Sequence, residues 1–167
     1  MIFQDEKGGL IAKMIDFGFS TRYVAEGDRF PLGMTIPWNA PEHDRESQWF
    51  DVGQAKKTDI FSFGMLCFWL LFTNFLDGTT PLPESCRRVR RMTHASGNYL
   101  TIEHILEDLK AEKELHVVAL EFVTVTDSIE DVQKIELAKL FSGSLQCEAE
   151  DRVKELQDVL SGLVKRL

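Results

Sequence analysis

Asp59-Ile60-Phe61-Ser62-Phe63-Gly64-Met65-Leu66-Cys67-Phe68-Trp69-Leu70-Leu71-Phe72 is apolar on every helical face after its first residue. A helix with no polar stripe is one surrounded by other protein. The apolar run from Ile60 to Phe72 spans 13 residues and contains Ser62 and Gly64. A bilayer span needs about 20 residues, so the run predicts a central buried helix rather than a membrane segment. The rest of the chain must then supply its cover.

Towards the C-terminus, Thr73 to Asn98 reads as a connection, with Gly78, Pro81, Pro83 and the basic cluster Arg87-Arg88-Val89-Arg90-Arg91. Thr101 is a helix cap residue that places Ile102, Ile105, Leu106 and Leu109 on one face. Val117 to Val125 mixes β-branched residues with helical neighbours and is read as helix. A further helix opens at Ser128, with Asp131 as the acidic partner of a capping box. Its inner side is Val132, Ile135, Leu140 and Phe141, and Gly143-Ser144 interrupts it. The last helix runs from about Asp151 towards Arg166, burying Val153, Leu156, Leu160, Leu163 and Val164. Lys165 and Arg166 stand at its C-terminus, where the helix dipole favours cations.

Towards the N-terminus, Ile2-Phe3 and Leu10 to Ile15 flank Gly8-Gly9, a pattern for a β-hairpin. From Asp16 to Glu42, Gly18, Gly27, Pro31, Gly33, Pro37 and Pro41 break any helical period, leaving an extended loop. Loops this long are unusual in a compact domain and are usually functional or disordered. The predicted fold is mainly α with a small N-terminal hairpin, in one domain over residues 1–167.

With 27 acidic against 19 basic side chains, the net charge is -8, which argues against a broad nucleic-acid-binding surface. Cys67, Cys86 and Cys147 form no pair with zinc spacing, and His43, His94, His104 and His116 share no metal spacing. Reduced thiols suit a cytoplasmic or nuclear protein. The first residues lack the basic start and apolar stretch of a signal peptide. The arginine cluster could serve localisation or phosphate binding, but reads first as a solvated loop.

Three short strings carry more information. Asp16-Phe17-Gly18 follows the strand-like Ala12-Lys13-Met14-Ile15. Ala40-Pro41-Glu42 begins 24 residues after Asp16, and Asp59-Ile60-Phe61-Ser62-Phe63-Gly64 then starts the apolar helix. In this order and spacing they resemble the C-terminal subdomains of eukaryotic-type protein kinases, over essentially the whole chain. The resemblance divides the domain into hairpin and Asp-Phe-Gly (1–18), activation segment (19–42) and helical lobe (43–167).

The resemblance implies a role for each matching residue. Asp16 would chelate magnesium against the ATP phosphates, a carboxylate being the ligand a hard cation requires. Phe17 would pack inward, and Gly18 would let the backbone switch. Thr35, Pro37 and Trp38 would belong to the loop that seats the substrate residue after the phosphoacceptor, a pattern of Ser/Thr rather than Tyr specificity. Glu42 would pair with Arg152, after which Val153 replaces the family's usual proline. Asp59 would cap the central helix and bond the catalytic-loop backbone, and Leu66 and Leu70 would support the adenine-contacting column.

The 167 residues contain no Gly-rich loop, no Val-Ala-Ile-Lys-type lysine and no His-Arg-Asp loop with its downstream Asn. The general base and much of the ATP site are therefore missing from this stretch, and Met1 falls close to where such a loop would end. The expectation is a kinase part, inactive alone, from a family that uses ATP and Mg to phosphorylate Ser/Thr of protein substrates. The alternative is a non-catalytic, kinase-like module that binds a protein partner. Neither reading involves nucleic acid or membrane.

Overall fold

A computed structural model describes residues 2–12, 20–22, 25, 27–44, 49–76, 79 and 101–164. The apolar run is the middle of a longer helix, α1, Val52–Leu76. Its start lies two turns before the expected one, and the cause is local. Asp51 Oδ1 accepts the Gln54 N–H at 2.8 Å, while Gln54 Oε1 accepts the Asp51 N–H at 3.0 Å. This reciprocal box satisfies two of the donors that a helix start leaves unpaired. Asp59 is therefore an internal residue of α1 and does not cap it. At 25 residues, α1 is long and apolar enough by length and composition to cross a membrane. Length therefore does not exclude a span, and the helix is not surrounded on every side: Phe61, Met65, Phe68 and Phe72 are buried against its neighbours, while Leu66, Leu70 and Leu71 are exposed.

Four more helices follow among the described residues: α2 (Ile102–Ala111), α3 (Leu115–Val125), α4 (Asp131–Ser144) and α5 (Gln157–Val164). The mainly helical fold expected from the sequence is the fold found. Phe68 and Phe72 of α1 meet Phe122 of α3 and Phe141 of α4, with ring centroids 5.5 to 6.1 Å apart. Aromatic pairs at such distances add roughly 0.5–1.5 kcal/mol each beyond area burial. Ile105, Leu106 and Leu109 of α2 close one side of this core, as their spacing predicts.

Two small residues let the helices approach. A Cβ on Gly64 would lie 2.8 Å from Ser144 Cβ and 2.9 Å from Leu145 Cδ2, so α1 and α4 touch through a bare backbone. A Cβ on Gly143 would meet Val159 Cγ1 at 2.8 Å and Val153 Cγ1 at 2.9 Å. Gly143 and Ser144 therefore belong to α4 as its contact with α5, and do not interrupt it. The helix itself begins later than expected, at Asp131, with Gln133 Oε1 accepting the Glu130 N–H at 3.2 Å. Its inner face is Leu137, Leu140, Phe141 and Ser144, and Val132 and Ile135 are exposed on the opposite side.

Before α5, Ala149–Asp151 forms a 3-10 turn and Arg152 is extended. The final helix is thus shorter than expected, and Val153 N–H instead donates to Gly143 O at 3.0 Å. At the other end, β1 (Ile2–Gln4) and β2 (Leu10–Ala12) pair antiparallel, Ile2 opposite Ala12. Asp5 Oδ1 accepts the N–H groups of Lys7 and Gly9 across the turn, and Gly8 takes the left-handed φ of 83° that the turn requires.

Candidate functional site

Ala40-Pro41-Glu42 sits at the start of a 3-10 turn, Pro41–Asp44, with Ala40 fully buried. The turn aims Glu42 at Arg152, whose side chain is wholly buried. Arg152 Nη1 donates to Glu42 Oε1 at 2.6 Å and Nη2 donates to Oε2 at 2.8 Å, the two-pronged fit of guanidinium on carboxylate. Its remaining N–H groups donate to Gln146 O at 2.8 Å, Lys57 O at 3.1 Å and Cys147 O at 3.0 Å. A guanidinium has five N–H donors, and all are used. Phe61 of α1 lies under the guanidinium, 4.8 Å from ring centroid to Cζ. Lys57 returns a hydrogen bond to Arg152 O. One side chain thus joins the loop, α1 and the segment after α4. An extended backbone at Arg152 is what lets it reach all three, which explains why α5 cannot start sooner.

The neighbouring turn holds the other expected residues. Thr35 O accepts the N–H of Trp38 at 2.8 Å and of Asn39 at 3.2 Å, closing a turn through the cis Ile36–Pro37 peptide. Pro37 and Asn39 are buried, Trp38 is half-buried, and Thr35 and Ile36 are exposed. Trp38 O accepts the Ser62 hydroxyl at 2.9 Å, and the Trp38 ring meets Trp69 edge-on at 5.8 Å. Thr35, Pro37, Trp38, Glu42 and Arg152 are therefore parts of one junction between the loop and the helical bundle.

Lys110 completes this junction, and motif reading did not single it out. Its side chain is 4% exposed. The ammonium donates to Pro37 O at 2.8 Å, Asn39 O at 3.2 Å and Asn39 Oδ1 at 3.3 Å, and lies 2.5 Å from Glu107 Oε1. The available signal was its place at the margin of the Ile102, Leu106, Leu109 stripe, one helical turn beyond Leu106. A lysine there would ordinarily snorkel to solvent.

Asp59, Leu66 and Leu70 share a different face of α1. The Asp59 carboxylate has no hydrogen-bond partner among the described residues, and partial desolvation raises its pKa above the usual carboxylate range. Leu66 and Leu70 are 43% and 60% exposed, and neighbouring Leu71 is exposed too. Cys67 is half-buried, and desolvation pushes its thiol up to about 11. Asp16, Phe17 and Gly18 lie outside the described residues, as does the arginine cluster. Among the described residues no three His, Cys, Asp or Glu side chains gather as a metal-binding group.

No family model matches this chain, no curated protein matches it, and no solved structure matches it. The resemblance read from the motifs thus rests on those few residues alone and receives no support from these comparisons.

Proposed function

We propose that the chain is the C-terminal, substrate-anchoring part of a Ser/Thr-type protein-kinase-like fold. The observation that carries this reading is the Glu42–Arg152 pair. Two residues 110 positions apart, matched by motif alone, meet in a buried two-pronged contact at 2.6 and 2.8 Å. The turn over Thr35, Pro37 and Trp38 would seat the substrate peptide, and its attachment to α1 through Ser62 and Trp69 would fix that seat. Asp16 would hold magnesium, which in such a fold neutralises ATP phosphate charge during transfer to a Ser or Thr hydroxyl. These 167 residues carry no general base of the His-Arg-Asp type, so the stretch alone binds without phosphorylating. The setting is intracellular, cytoplasmic or nuclear.

The exposure of Leu66, Leu70 and Leu71 favours a second reading, a non-catalytic kinase-like module that holds a protein partner. The reading frame upstream of Met1 separates the two. An in-frame His-Arg-Asp loop with its Asn supports the enzyme part, and an immediate stop codon supports the module. The seat itself is tested with immobilised, degenerate Ser/Thr-centred peptides. Retention of the chain that drops in Trp38→Ala supports the proposal, and retention indifferent to Trp38 refutes it.

A further inference from the structure

We infer that Lys110 is the positioning residue of the Thr35–Asn39 turn, so that α2 sets the shape of the peptide seat. The inference rests on the reading of that turn as a seat. A lysine placed only for solubility keeps its ammonium in water, because burying the charge is unfavourable unless it is paired and hydrogen-bonded. Lys110 does the opposite. Its ammonium is directed at the loop, where the backbone oxygens of Pro37 and Asn39 and the side-chain oxygen of Asn39 converge within 3.3 Å. An ammonium has three donors, and the turn offers three acceptors. Glu107, one turn earlier on α2, supplies the counter-charge at 2.5 Å. The turn is consequently tied to α2 by Lys110 and to α1 by Ser62 and Trp69, and only the first tie has a charged donor.

The test compares Lys110→Met, which keeps an unbranched apolar stem and removes the ammonium, with the wild-type 167-residue chain by hydrogen exchange. The Trp38 and Asn39 amides, which close the turn onto Thr35 O, should exchange about tenfold or more faster, as expected when hydrogen bonds from a charged donor are lost. Slow amides of α3 and α4 should keep their protection. Unchanged exchange at Trp38 and Asn39, or an equal rise in every helix, would overturn the assignment. Should Lys110→Met fail to fold, Asn39→Ala removes one acceptor from the turn. Faster exchange at positions 38 and 39 with the helices unchanged supports the inference, and no rise, or an equal rise in every helix, overturns it. The peptide pool is scored separately. If the exchange result holds while the wild type retains no peptide, Lys110 stands as the turn's anchor and the reading of the turn as a seat falls. Retention that weakens in Lys110→Met supports both.

Discussion

At the scale of single residues, Arg152 carries the largest predicted effect. Truncating one partner of a buried ion pair leaves a charge without compensation, at about 3–5 kcal/mol. For a chain of this length each kcal/mol moves the melting midpoint by roughly 2–4 °C, so Arg152→Ala should lower it by on the order of 10 °C in calorimetry. A shift under about 2 °C would contradict the saturated contacts described above. Cys67 gives a pH-dependent test. Desolvation in the fold pushes its thiol from an ordinary 9.0 up to about 11, so folding favours the neutral form. That contribution is complete below pH 9 and fades as pH rises from 9 to about 11. Denaturant midpoints of wild type and Cys67→Ala, taken across this window, should therefore converge on a smaller difference at the alkaline end. Of these residues Glu42 and Arg152 were legible, because a motif fixes both types and their order. Lys110 was not, because nothing local distinguishes a lysine that turns inward from one that turns outward.

The elements were legible where one face is apolar and obscure where a backbone approach decides the geometry. The stripe of α2 survived intact. The inner face of α4 did not, since Val132 and Ile135 fit a helical period as well as Leu137 and Leu140 do, and only contact with α1 and α3 chooses between them. The start of α1 was missed because Asp51 and Gln54 lie ahead of the apolar run, where periodicity is silent and capping chemistry speaks. Gly64 shows the same limit, since it reads as a helix weakener until α4 is seen against it. Gly64→Ala should gain helix propensity yet destabilise the fold by about 1–3 kcal/mol through overpacking, measured by denaturant melts. Pairing it with Ser144→Gly should recover part of the loss, because the clash is with the Ser144 side chain. A stabilised Gly64→Ala would mean that the two helices do not touch there.

For the molecule as a whole, the order of elements and the mainly helical character follow from composition and periodicity. The Glu42–Arg152 contact of the junction was anticipated from motif positions, and the part played by Lys110 was not. Away from the junction, a different face of α1 exposes Leu66 and Leu70, with Leu71 exposed beside them. Exposed leucines contribute little to the core, so Leu66→Gln with Leu70→Lys should leave the melting temperature within about 1–2 °C, since surface substitutions cost within roughly half a kcal/mol. The same pair should reduce binding of a hydrophobic dye and slow aggregation. A large drop in stability would show that these leucines are covered. The placement of the tryptophans has its own consequence for optical work. Of the three, Trp49 is mostly exposed, while Trp38 and Trp69 stand edge to face where the loop meets α1. The deepest aromatic contacts belong to phenylalanines, which contribute almost nothing to emission excited at long ultraviolet wavelengths. Intrinsic fluorescence of this chain thus reports the loop leaving the bundle, and far-ultraviolet dichroism reports the bundle. If the emission change precedes the loss of helix on a denaturant ramp, the gap between the two curves reads the strength of the junction separately from that of the core.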